Sequence, residues 1–400
     1  MNGTAIETGR YFLSPDHALH RLQRGALIAG VLGLALSGAG ALISPVQFFR
    51  SYLVAYLFWF GIALGCMSIL MIHHITGGAW GAVIRRLLES GTRTLPLLAF
   101  LFLPVILGMR ELYTWARPDV VAHDLLLQHQ ALYLNVPFFL IRAVFYFAVW
   151  LTLSGFLNRW SLQQDHSLDA GPGRWLEQLS RGGLVLVGLT MTFASIDWVM
   201  SLEPHWSSTI YGIIFLGGQV LAAMAFIIPL AALLADGGPL TGVISAEQFQ
   251  DLGKLLLAFV MLWAYFAFSQ FLITWSGNLT EEIPWYLARF RGGWGWVGLA
   301  VLVLQFVVPF ALLLSRTANR NPRILFTAAA LLVAVRFADI CWLVLPAFSP
   351  QHFAIHWMDI FVPAGLGGLW IAVFASQIPK RPLLPTGDPE FAEAMAHGPH

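Results

Sequence analysis

The stretch Ser51-Tyr-Leu-Val-Ala-Tyr-Leu-Phe-Trp-Phe-Gly-Ile-Ala-Leu-Gly-Cys-Met-Ser-Ile-Leu-Met-Ile72 decides the fold, because it runs for 22 residues without one Asp, Glu, Lys or Arg. A helix of that length crosses a hydrocarbon layer of about 30 Å, and a helix satisfies its own backbone hydrogen bonds there. Nine further apolar blocks stand along the chain, so the expected spans are 25–44, 51–72, 95–109, 131–153, 184–201, 209–235, 252–274, 293–314, 324–346 and 357–376. Composition agrees: 58% of residues are hydrophobic and 11% charged, against about 25% charged in soluble domains. The expected fold class is all-α, a polytopic membrane protein of about ten transmembrane helices. It comprises an N-terminal segment over 1–24, one integral membrane domain over 25–376 and a C-terminal tail over 377–400. The first apolar block is followed by no A-x-A-like site and reads as a retained span rather than a cleaved signal. The stretch 80–89 sets Arg85, Arg86 and Glu89 among apolar residues, which predicts a short amphipathic helix lying in the interface. From Pro379 the tail is rich in Pro, Gly and acids and is expected to lack order.

With the N-terminus inside, alternate loops place 15 Lys and Arg on the inner side and five on the outer, with Arg142 and Arg336 inside spans. That bias predicts cytoplasmic termini. The outward loops are then 110–130, 202–208, 275–291 and 347–356. Twenty-two basic residues against 21 acidic ones, a formal charge of +1, argue against nucleic acid as a partner. Cys66 and Cys341 are far apart and form no C-x-x-C, so the chain by itself supplies no thiolate set for an iron–sulfur cluster and no attachment motif for a c-type haem. Of the 12 His, none lies near a span centre, where paired axial ligands of stacked b-haems would sit. No metal site is expected. His73 and His74, adjacent at the inner end of the second span, read as interfacial, and Asn278-Leu-Thr280 fits the glycosylation pattern.

Ionisable groups inside spans cost about 2.5–3.5 kcal/mol each at a helix centre, so each needs a partner or a cavity. Arg336 and Asp339 are spaced i, i+3 on one helical face, which suits a structural ion pair, a proton stepping stone or a substrate contact. Asp197 lies in the outer half of the fifth span, with Glu203 and His205 just beyond its end. These groups could exchange protons with a hydroquinone, or Glu203 and His205 could simply belong to an interfacial turn anchored by Trp198, Trp206 and Tyr211. His129 and Asn135 stand near the outer end of the fourth span, and Asn135 and Arg142 are spaced i, i+7, forming a polar track toward the midplane. Arg142 could equally be satisfied by helix-end carbonyls.

Two long segments, ASIDWVMSLEPHWSSTIYG at 194–212 and FSQFLITWSGNLTEEIPWYLARFRGGWGW at 268–296, resemble the ActF-type membrane subunit of bacterial alternative complex III, within the NrfD/PsrC-like family. The resemblance implies two four-helix bundles with flanking helices in the bacterial inner membrane. It also implies a role in a quinol:cytochrome c or quinol:terminal oxidase oxidoreductase that oxidises menaquinol. Haem c and iron–sulfur clusters would reside in partner subunits, beside an ActC-like quinol-binding subunit and in places a terminal oxidase. On this resemblance the quinone-binding candidates are His129, Asn135 and Asp197. The proton-pathway candidates are Asp197, Arg142, Arg336, Asp339, Glu203 and His205. Two other classes fit ten spans: a secondary transporter, although Pro229, Pro309 and Pro346 show no matching pattern between halves, and a structural membrane anchor surrounded by lipid.

Overall fold

The computed structural model describes residues 12–13, 17–166, 171–236, 238, 240–241, 243–385 and 387–388. Among them are ten helical segments long and apolar enough to cross a membrane. They are α1 (Ala18–Ile43), α2 (Pro45–Thr76), α3 (Arg85–Leu107), α4 (Val136–His166), α5 (Gly171–Leu202), α6 (Tyr211–Ala235), α7 (Ala246–Gly277), α8 (Trp294–Leu313), α9 (Pro322–Ala347) and α10 (Met358–Lys380). No strand occurs among the described residues. The protein is a multi-span membrane protein.

Eight of the segments close into two rings. In the first, α2 packs on α3, α3 on α4, α4 on α5 and α5 back on α2; in the second, α6 packs on α7, α7 on α8, α8 on α9 and α9 back on α6. The rings meet through α2 and α6. This explains why the stretch 51–72 carries no charge and no polar face: α2 is 94% buried across its most apolar window. A helix that is apolar all round belongs inside a bundle rather than at its rim.

Helices α1 and α10 flank the rings as an antiparallel pair. Gly30 and Gly33 of α1 face Gly368 and Gly365 of α10, and a Cβ added at Gly33 would stand 2.7 Å from the Gly365 Cα. Such a seam lets two backbones approach closely and substitutes van der Waals packing for a hydrophobic driving force that lipid does not supply. It also places the two ends of the described chain on one face of the molecule.

Two stretches depart from the sequence reading. The segment 80–89 is no interfacial helix: Arg85–Thr92 is wholly buried and opens α3. Its charges do not seek water because they find partners inside the protein. Glu89 accepts from Arg85 at 3.2 Å, Arg86 at 2.7 Å and Arg381 at 3.2 Å, while Arg85 also reaches Ser161, Gln164 and Asp388, and Arg86 pairs with Asp165. The start of the tail is ordered for the same reason. Leu383 and Leu384 are buried, and Arg381 and Asp388 bind the α3 network; 386 and 389–400 of the tail, and 1–11 and 14–16 ahead of α1, lie outside the described residues, and α1 begins at Ala18, inside the expected N-terminal segment 1–24. Helix α3 itself is broken twice, each new piece carrying Pro96 or Pro104 in its first turn, where a missing N–H costs least.

Gly33→Leu is expected to overpack the α1–α10 seam and cost about 1–3 kcal/mol, read as a lower Tm in detergent. Gly38→Leu, where an added Cβ meets nothing within 4 Å, should leave Tm unchanged.

Candidate functional site

Helix α4 turns Phe139, Arg142, Ala143, Tyr146 and Trp150 into the protein at helical spacing. Arg142 therefore meets the fifth span directly. Its Nε donates to Asp197 Oδ2 at 2.8 Å and its Nη2 to Asp197 Oδ1 at 2.9 Å, the two-pronged geometry that makes an arginine–carboxylate pair strong. Tyr146 donates a third hydrogen bond to Asp197 Oδ2 at 2.8 Å, and the remaining Arg142 nitrogen, Nη1, donates to the Tyr133 carbonyl at 2.9 Å. The guanidinium lies 3.9 Å from the Tyr133 ring centroid and 4.4 Å from that of Phe138, so aromatic faces replace the water it has left. Beneath the pair, Trp198 packs among Tyr56, Phe60, Phe102, Phe147 and Trp150.

Beside this pair a cleft of about 200 Å³ is lined by Gln130, Tyr133, Leu134, Ile196, Met200, Ser201, Pro204, Trp206 and Ser207. Two of its lining residues carry a buried polar atom with no hydrogen-bond partner among the described residues, the Gln130 Oε1 and the Trp206 indole N–H, while the Tyr133 hydroxyl is turned toward Asp197 and Tyr146. Buried polar atoms are ordinarily satisfied, and these two, one acceptor and one donor, stand on residues that line the same cleft. Burial, and then the nearby Asp197 carboxylate, push the Tyr133 phenol above its usual range; it remains a protonated donor.

The other expected residues are distributed around this centre. Glu203 is held by Arg289, whose Nη2 donates to Glu203 Oε2 at 2.7 Å. His205 makes an exposed contact with Asp124 at 3.0 Å. His129 is exposed on the short helix Leu125–Gln130 and is not a partner of Asp197. Asn135 caps α4, its Oδ1 accepting from the Phe138 N–H at 2.9 Å; the helix consequently starts at Val136, and the i, i+7 track is a cap and a buried cation rather than a continuous polar face. His73 is buried against Trp80, and the half-buried His74 lies 3.2 Å from Ser180, both in the last turns of α2.

A second buried pair sits in the other ring. Arg336 and Asp339 pair along α9, and Gln305 Nε2 of α8 donates to Asp339 Oδ2 at 3.1 Å. Gln305 belongs to a π-helical stretch, Leu302–Val307, a wide turn that recurs at functional sites. The guanidinium fits against Gly218 of α6, where any Cβ would collide with it. Among the described residues, Arg336 Nε and Nη2 and Gln305 Oε1 have no partner. No group of three or more His, Cys, Asp or Glu among the described residues is arranged to hold a metal ion.

Searches against protein-family models and against curated proteins find no match to this chain.

Tyr133, Tyr146, Gln130, Arg289 and Gln305 escaped the sequence reading. Only Tyr146 carried a signal, standing four residues from Arg142 on the same helical face.

Asp197→Asn leaves Arg142 buried without its counter-charge and is expected to cost about 3–5 kcal/mol, whereas the paired change Arg142→Met with Asp197→Leu should recover most of that loss. Thermal unfolding of the three variants in one detergent checks the order.

Proposed function

We propose that the chain is an integral membrane subunit, without a redox centre of its own, of a respiratory quinol:electron-acceptor oxidoreductase. In this reading it lies in a bacterial cytoplasmic membrane with both termini inside. Its cleft beside Arg142 and Asp197 takes the headgroup of a quinol such as menaquinol. The observation that carries the reading is a cleft lined by Gln130 and Trp206, each with an unpaired buried polar atom, and by Tyr133, whose ring lies over the Arg142–Asp197 pair.

A quinol presents ring oxygens that accept hydrogen bonds and hydroxyls that donate them. Gln130 Oε1 suits a hydroxyl, and the Trp206 N–H suits a ring oxygen. Oxidation releases two electrons and two protons per quinol. The electrons leave for iron–sulfur and haem c centres on partner subunits and from there to a cytochrome c or a terminal oxidase. Asp197 and Tyr146 offer a buried, hydrogen-bonded place beside the cleft for a proton in transit. The Arg336–Asp339–Gln305 group, with donors and an acceptor left open, suits proton movement through the second ring. The chain works in this reading as part of a complex and not alone.

A structural-anchor reading draws on the same pairs, since Asp197 is bound on both oxygens and a closed pair stabilises a bundle without conducting anything. The cleft separates the two readings. An azidoquinone photolabel applied to the purified complex should mark peptides spanning 124–135 and 200–207. Gln130→Leu should raise the half-saturating quinol concentration several-fold, up to about tenfold, the worth of one hydrogen bond. Labelling confined to another subunit would favour the anchor.

A further inference from the structure

The turn that walls the cleft is gripped from two sides. Gln130 Nε2 donates to the Pro204 carbonyl at 3.1 Å from one side. From the other side comes Arg289, on the short helix Ile283–Phe290 between α7 and α8. Arg289 is fully buried, at 0% exposure. Its Nη2 donates to Glu203 Oε2 at 2.7 Å and to the Leu343 carbonyl at 2.8 Å, and its Nη1 donates to the Trp285 carbonyl at 3.0 Å. Its guanidinium also lies 3.6 Å from the Trp285 ring centroid. Trp285 in turn stacks on Trp206, with centroids 4.6 Å apart and planes within 14° of parallel.

One cation therefore holds both ends of the turn 203–206. It binds the side chain of Glu203 and it backs the ring against which Trp206 lies. Trp206 lines the cleft, and its indole N–H has no partner among the described residues. We propose that Arg289 is a positioning residue for the cleft: through Glu203 and Trp285 it fixes the direction of the Trp206 indole N–H, and so sets how tightly a headgroup is held. The proposal rests on the reading of the cleft as a quinol site.

The chemistry asks for arginine here. A planar guanidinium stacks on an indole while its edge bridges a carboxylate and two carbonyls; an ammonium keeps the charge but offers neither the flat face nor the fixed fork. With lysine in its place Glu203 retains a counter-charge, and the turn loses its constraint on Trp206. Arg289 touches no occupant of the cleft directly, because it is not among the lining residues. Its effect must pass through Trp206.

A double-mutant cycle reads that dependence. Arg289→Lys, Trp206→Phe and the double variant are compared with the wild type in the full chain within its purified complex, using an alkyl hydroxyquinoline N-oxide as the headgroup probe. Phenylalanine keeps a ring for the stack on Trp285 and removes the N–H. Each single change should weaken binding about fivefold, on the order of one hydrogen bond. The double variant should bind no more weakly than Trp206→Phe, since residues acting through one contact are not additive. Additive losses, or unchanged affinity in Arg289→Lys, overturn the proposal. Should Arg289→Lys fail to assemble, Glu203→Gln in the same cycle gives the same readout. A folded wild type that does not bind the probe overturns the quinol reading of the cleft, and the role of Arg289 with it.

Discussion

A charge carried into an apolar bundle must meet its counter-charge there, and in this protein that requirement sets how helices are rotated against one another. Leaving a single charge at a helix centre costs about 2.5–3.5 kcal/mol, so an arginine that faced lipid would turn its helix until it found a carboxylate. Arg142 locks α4 onto α5 through Asp197. Asp339 ties α9 to α8 through Gln305. Glu89 gathers Arg85, Arg86 and Arg381, binding the start of α3 to the chain beyond α10. The seam of glycines between α1 and α10 is the uncharged counterpart, fixing a flanking pair by shape alone.

The cleft follows from this arrangement. Arg142 is held so that Tyr133 lies over it, and the connection ahead of α4 comes to rest against the turn that follows α5. The two loops meet at the cleft, and each contributes a lining residue with an unpaired polar atom, Gln130 and Trp206. The second ring reaches the same turn through Arg289, whose bond to the Leu343 carbonyl connects it to α9. The site assigned to quinol is thus built by the first ring and braced by the second.

Much of this was legible in the chain. Apolar block length gave nine spans and the second part of α3, and the i, i+3 spacing of Arg336 and Asp339 gave their pairing. The pairing of Arg142 with Asp197 was not legible, because those residues lie on different helices and spacing speaks only within one. The stretch 80–89 misled for a related reason: an amphipathic pattern shows which face is polar, but not whether water or another helix satisfies it. Here Ser161, Gln164 and Asp165 of α4 do so, joined by Arg381 and Asp388. Arg289 was counted only as a loop cation, and nothing local to it announces that Glu203, far back in the chain, waits for it. The π-helical turn at Gln305 has no sequence signature at all.

The central claim is that this chain belongs to a quinol-oxidising complex whose redox centres lie on its partners. Affinity purification of the tagged chain in mild detergent, with mass spectrometry of what accompanies it and a visible absorption spectrum, tests that most directly. The account predicts co-purifying c-haem and iron–sulfur subunits and a haem spectrum. A stable, colourless chain that purifies alone would contradict it.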